Sequence, residues 1–167
     1  MAESTMAAPR PATADVPLPE GRWIDVGGIR TRYHEAGAGE PIVFVYGGNF
    51  GTPDSASSAY TWNLNLAPLA ARFRTIAFDK LGQGHTDNPG NDDYTMQAVV
   101  DHAAAFIEAM KLPPVHLVGH SRGGFAAMRL ALQKQHLVRT LTIVNSGTLM
   151  PRVGTNEVVL GRPPFPS

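Results

Sequence analysis

Apolar positions along this chain fall into short solid blocks separated by longer, mixed stretches. Ile42-Val43-Phe44-Val45-Tyr46 is continuously apolar between Pro41 and Gly47, which predicts a strand covered on both faces, as in the middle of a parallel sheet. Thr75-Ile76-Ala77-Phe78, Val115-His116-Leu117-Val118 and Leu141-Thr142-Ile143-Val144 repeat that pattern. Trp23-Ile24-Asp25-Val26 and Ile29-Arg30-Thr31-Arg32-Tyr33-His34 flank Gly27-Gly28 and predict a hairpin, because glycines readily supply the positive φ of a two-residue turn. Helical spacing fills the intervals. Trp62 to Arg72 carries Leu64, Leu66, Leu69 and Ala70; Thr95 to Met110 aligns Met96, Val99, Val100, Ala103, Phe106, Ile107 and Met110, with Thr95 as N-cap. Ser121 to Gln135 offers Phe125, Met128, Leu130 and Leu132, with small residues at its start. Strands alternating with helices imply crossover connections, so the expected fold class is α/β: a mostly parallel sheet of about six strands with helices on both faces.

Composition narrows this picture without redirecting it. At 167 residues the chain can bury one real core, and 43% hydrophobic with 17% charged residues is ordinary for a globular domain. Lys plus Arg balances Asp plus Glu at 14 each, so no field exists to attract nucleic acid or an anionic membrane surface. Cysteine is absent, which removes disulfides, thiolate zinc sites and thiol catalysis and suits a cytoplasmic protein. No apolar run approaches the roughly 20 residues of a membrane span, and the first twenty residues contain no secretory h-region. The expected organisation is a flexible Ala/Pro/Thr-rich leader over 1–21, a core over 22–147, and a start of a further segment or an irregular tail over 148–167.

The chemistry concentrates at Gly119-His120-Ser121-Arg122-Gly123, a G-x-S-x-G with an apolar strand before it and a helix after it. A turn that tight strains the backbone and crowds the positions two residues either side of the serine, hence glycine at both. Ser121 is thereby lifted above the carboxyl edge of the sheet, at a helix N-terminus whose N–H groups and dipole favour a developing negative charge. The Arg122 N–H is the expected first donor of an oxyanion hole. The second is expected from Tyr46-Gly47-Gly48-Asn49 after the Ile42 strand, with Gly48 as the donor, since glycine lets backbone approach a substrate oxygen closely. A capping serine in a glycine-rich turn and a plain Gly-Gly turn are the bland alternatives. Asp79-Lys80-Leu81-Gly82-Gln83-Gly84-His85 forms a third glycine-punctuated loop, in which Asp79 reads as a loop-ordering carboxylate.

Taken in order, Gly47-Gly48-Asn49, Trp62-Asn63, Phe73 through Asp79-x-x-Gly82-x-Gly84 and the serine motif resemble the α/β-hydrolase superfamily from about Arg22 to Ser146. Within it the chain is most similar to the meta-cleavage-product hydrolases, which hydrolyse a C–C bond in the vinylogous diketones left by aromatic ring fission. Val144-Asn145-Ser146-Gly147 leading to Pro151 resembles that branch's entry to its helical cap. The resemblance implies Ser121 as nucleophile, Gly48 and Arg122 as oxyanion hole, and Gly47, Asn49 and Asn63 (with Asn65 as the competing register) at a small-molecule substrate. It implies no metal or organic cofactor. It also implies a His that assists ketonisation of the dienol before water attack. Tyr46 stands where a His usually precedes the oxyanion glycines, and His120 where many members have Asn. A carboxylesterase on the same core stays open, as does a non-catalytic hydrolase-like protein that binds a small ligand.

The triad's other members are not evident. In this superfamily acid and then His follow the serine, whereas after Ser121 the chain has only His136 and then Glu157. His136 falls at the far end of the helix begun at Ser121, roughly 20 Å away at 1.5 Å per residue. His102 reads as lying on the solvated side of its helix, His116 at the wrong end of its strand, His34 on the early hairpin, and His120 as pointing away from Ser121. His85 is the best local stand-in for a base. The expectation is therefore the N-terminal portion of a longer hydrolase, inactive alone, with an unfinished sheet edge that could pair in a homo-oligomer or be completed by another chain.

Overall fold

In a computed structural model, residues 16–48 and 57–149 are described. Six strands form one sheet: β1 (Gly21–Val26), β2 (Ile29–Ala36), β3 (Pro41–Val45), β4 (Arg74–Phe78), β5 (Val115–His120) and β6 (Val138–Val144), in the spatial order β1-β2-β4-β3-β5-β6. The β1–β2 hairpin turns on Gly27 and Gly28 at φ 62° and 87°, and β2 runs antiparallel to β4. The remaining pairs, β4–β3, β3–β5 and β5–β6, are parallel. Helices α1 (Asn63–Leu69), α2 (Met96–Ala109) and α3 (Arg122–Gln133) supply the crossovers. Thr95 caps α2, its side chain accepting the Ala98 N–H.

β3 and β4 are buried on both faces, β5 alternates buried with half-buried positions where continuous burial was expected, and the period-2 alternation sorts the core into two layers. Val43, Val45, Ile76 and Phe78 face α2 and α3, where Phe78 stacks on Phe106 at 4.4 Å. Ile42, Phe44, Tyr46 and Ala77 face the other way, onto Ala59, Trp62 and Leu66 around α1. Helices therefore cover both faces.

Four expectations need correction. β6 is no buried strand: it pairs only with β5, and Leu141, Ile143 and Val144 stay 36–39% exposed, since among the described residues nothing lies beyond it. The buried face of α3 is Gly123, Gly124, Ala126, Ala127 and Leu130, while Leu132 is 66% exposed. This helix begins directly out of a central strand, and so close an approach selects small residues over the larger apolar ones. The first helix is shorter than Trp62–Arg72: a 3-10 turn over Ala59–Trp62 precedes α1, Pro68 removes an N–H near its end, and Leu66 is buried whereas Leu64 is exposed. His102 is buried against the Phe78 ring with Nε2 2.9 Å from Thr31 Oγ1, and burial pushes its pKa down to about 4. The cause is a wide buried arc on α2, one edge of which lies under the β1–β2 hairpin.

The described end of the leader is docked. The Val16 carbonyl accepts from Asn63 Nδ2, and the Pro19 carbonyl from His34 Nδ1. Among the described residues, no helix is long and apolar enough to cross a membrane.

Candidate active site at the carboxyl edge of the sheet

β5 delivers the chain to Ser121, whose φ of 53° and ψ of −126° lie outside the wells ordinarily open to an L residue. The chain then turns at once into α3. Glycines make the turn possible. A Cβ on Gly119 would sit 2.6 Å from the Gly123 carbonyl oxygen and the Gly124 Cα, and one on Gly123 would collide with the carbonyl oxygens of Val45 and Tyr46. These obstacles are backbone, so neither position can accept a side chain without moving the strand or the helix.

Hydrogen bonds hold the strained residue from the β6 side. The Ser121 N–H donates to the Val144 carbonyl at 3.1 Å, and the Ser121 carbonyl accepts from the Gly124 N–H at 2.9 Å and from Ser146 Oγ at 2.6 Å. On the opposite side the loop after β3 presses against the serine: a Cβ on Gly47 would lie 2.7 Å from Ser121 Cβ and 3.1 Å from its Oγ. Gly48 follows at φ 88°, a conformation that favours glycine. The structure thus brings Gly47, Ser121 and the first residue of α3, Arg122, together. Asn49 lies outside the described residues, as do residues 150–167, which include Glu157. Asn63 donates to the leader carbonyl of Val16 and follows Trp62, whose ring stands on Phe44 and meets the His120 ring edge-on at 6.3 Å. Trp62 Nε1 and His120 Nδ1 are buried, with no partner among the described residues.

Among the described residues no histidine hydrogen-bonds to Ser121 Oγ. His85 is turned the other way: Arg32 of β2 lies 2.6 Å from its Nδ1, and its side chain is 65% exposed on the β2 side of β4. Ser121 follows β5, two strands away across β3. His116 binds Glu40 and Thr140 at the opposite end of β5, and His136 lies in the exposed turn beyond α3. Asp79 is 1% exposed and orders its loop, its carboxylate accepting from the Ala59 and His85 N–H groups at 2.8 and 3.0 Å. Gly84 is glycine because a Cβ there would strike that carboxylate.

Lys80 escaped the sequence reading. It is 4% exposed, and its Nζ donates to the Gly47 carbonyl at 2.9 Å while standing 4.5 Å above the Tyr46 ring. Burial, reinforced by the Arg122 guanidinium, lowers its pKa to about 7. The Tyr46 hydroxyl, buried beneath it near Asp79, is pushed above its ordinary range and stays neutral. Among the described residues, no group of three or more His, Cys, Asp or Glu side chains could hold a metal ion.

Known proteins resemble this arrangement. The family model described as the alpha/beta hydrolase fold matches residues 40–165. A 2-hydroxymuconate semialdehyde hydrolase from a Pseudomonas species is 35% identical over 145 residues, covering 86% of this chain and 50% of the relative. A 2-hydroxy-6-oxo-6-(2'-aminophenyl)hexa-2,4-dienoic acid hydrolase from Metapseudomonas resinovorans is 36% identical over 134 residues, 79% of this chain and 44% of its own. Among solved structures, a meta-cleavage product hydrolase from Pseudomonas fluorescens superimposes with a TM-score of 0.66 at 32% identity, over 72% of this chain and 43% of that one. The chain spans about half the length of the curated relatives it matches.

Proposed function

Because the chain belongs to the α/β-hydrolase fold family, we propose that it carries the nucleophile half of a hydrolase that cleaves a C–C bond in ring-fission dienoates. The observation that carries the reading is Ser121 at positive φ between two glycines whose Cβ atoms have no room, with the Gly47 backbone against its side chain. In this role Ser121 Oγ adds to the substrate carbonyl, and the oxygen that becomes anionic is met by the Gly48 and Arg122 N–H groups. Gly47 keeps that wall low enough for the carbonyl to approach. Asn49 and Asn63 are the proposed polar contacts to the substrate. C–C cleavage then releases the dienol fragment as a stabilised carbanion equivalent that takes up a proton, and water converts the acyl-serine to an acid. Among the described residues no histidine hydrogen-bonds to Ser121 as the base for these transfers. The relatives' names favour the ring-fission substrate over a simple ester.

The test is an assay of the chain with a ring-fission dienoate and a chromogenic ester, each with Ser121→Ala as control. Ser121-dependent loss of the dienoate absorbance supports Ser121 and the ring-fission substrate and overturns the half-site reading, in which case His85→Ala is the next variant to assay. Ester turnover alone would make the protein a carboxylesterase, and turnover that survives Ser121→Ala removes Ser121 as nucleophile.

A further inference from the structure

Two consecutive glycines, Gly47 and Gly48, are a weak support for a hydrogen-bond donor that has to be aimed. With no side chain at either position, the peptide plane between them can rotate at little steric cost. That plane carries both groups of interest. In a trans peptide the Gly47 carbonyl and the Gly48 N–H point in opposite directions, so whatever fixes one fixes the other.

The carbonyl is fixed by Lys80, whose Nζ donates to it at 2.9 Å. Lys80 is itself gripped at both ends by the residue preceding the glycines: its backbone N–H donates to the Tyr46 hydroxyl at 3.0 Å, and its ammonium stands over the Tyr46 ring. Lys80 and Tyr46 are both buried. A buried lysine is costly to the fold and unusual without a carboxylate partner. Here the head group bonds a main-chain oxygen in the loop that lies against Ser121. We propose that Lys80 is the positioning residue of the oxyanion hole, holding the Gly47 carbonyl so that the Gly48 N–H is aimed at the substrate oxygen. This rests on the reading of Ser121 and Gly48 given above.

Among the described residues, the charged and titratable groups around Lys80 are the Tyr46 hydroxyl beneath it, the Asp79 carboxylate beside it in the chain and the Arg122 guanidinium from the start of α3. Tyr46 stays neutral, Asp79 is committed to the Ala59 and His85 N–H groups, and Arg122 pushes the ammonium toward losing its proton. The head group therefore titrates near neutrality. A charged donor holds a carbonyl more strongly than a neutral amine, so the aim of Gly48 loosens as pH rises through about 7.

The experiment follows the Gly47 carbonyl carbon and the Gly48 amide by NMR in the full 167-residue chain between pH 5.5 and 9, in the wild type, Lys80→Met and Lys80→Arg. Both resonances are expected to move in the wild type with a midpoint near 7. The transition should vanish in Lys80→Met and leave this window in Lys80→Arg. Should Lys80→Met fail to fold, the wild-type titration alone decides. A Gly48 amide that ignores pH in the wild type overturns the proposal, and so does one unchanged in a folded Lys80→Met. Where the ester assay gives Ser121-dependent turnover, Lys80→Met should lower kcat by roughly 10–100-fold with KM little altered, and Lys80→Arg should recover part of it. Unchanged kcat would sink the positioning role while leaving Ser121 in place. Absence of Ser121-dependent turnover is the result expected of a chain without its base, and the NMR titration then decides the positioning role by itself.

Discussion

The two flanks of β5 are built differently. On the β3 side, strand and loop are buried, the Val45 and Tyr46 carbonyls lie against Gly123, and the Lys80–Tyr46 pair fastens the loop that touches the serine. On the β6 side, half-exposed apolar side chains end in one main-chain bond, from the Ser121 N–H to the Val144 carbonyl, and one side-chain bond from Ser146. The difference teaches that the nucleophile's side-chain environment comes from β3, whereas β6 holds only its backbone.

Gly123→Ala should break the tighter flank most severely. Its new methyl meets carbonyl oxygens that belong to a central strand, and a loss of about 3 kcal/mol in urea unfolding is expected. A loss below ~0.5 kcal/mol would mean that helix and strand can move apart. Next comes the pH dependence of stability. Lys80 titrates near 7 when folded and at 10.5 in its ordinary state, so between these values the unfolded chain binds the extra proton and stability rises with pH. The slope from this group approaches ~1.4 kcal/mol per pH unit, and Lys80→Met, more stable at pH 7, should flatten it.

Smaller effects belong to the other flank. Ser146→Ala removes the bond to the Ser121 carbonyl and should cost about 1 kcal/mol. Ile143→Thr, on the exposed edge strand, should stay within about 0.5 kcal/mol in the same denaturation experiment. A larger loss there would show that β6 is covered in solution, and a concentration-dependent midpoint would identify a second copy as the cover.

Legibility in the sequence follows the same division. Ser121 could be read because its constraint is local: glycines two residues away on each side, a strand before and a helix after. The central strands could be read because burial leaves few polar positions in them, Thr75 of β4 and His116 of β5 among them. β6 looks the same in sequence whether covered or bare, so its exposure was invisible. The α3 face was legible in Leu130 and in the small residues at its start, but hydrophobicity also points to Phe125, Met128 and Leu132, while most of the contact is made by glycine and alanine. His102 and Lys80 were missed for another reason. Their partners, Thr31 and Gly47, lie 71 and 33 residues away along the chain, and no spacing rule connects them. A lysine beside two loop glycines is no motif, yet the fold makes it one.

The glycine cage around the elbow has a consequence for redesign. The clashes that fix the turn fall at Gly119 and Gly123, against backbone, while the serine's own Cβ and Oγ crowd only position 47, which glycine keeps clear. Position 121 is thus a socket: its backbone angles are dictated from outside, while the functional group it presents is exchangeable. Cysteine, which matches serine in length, could be installed there, whereas moving the serine by one residue would forfeit the whole arrangement.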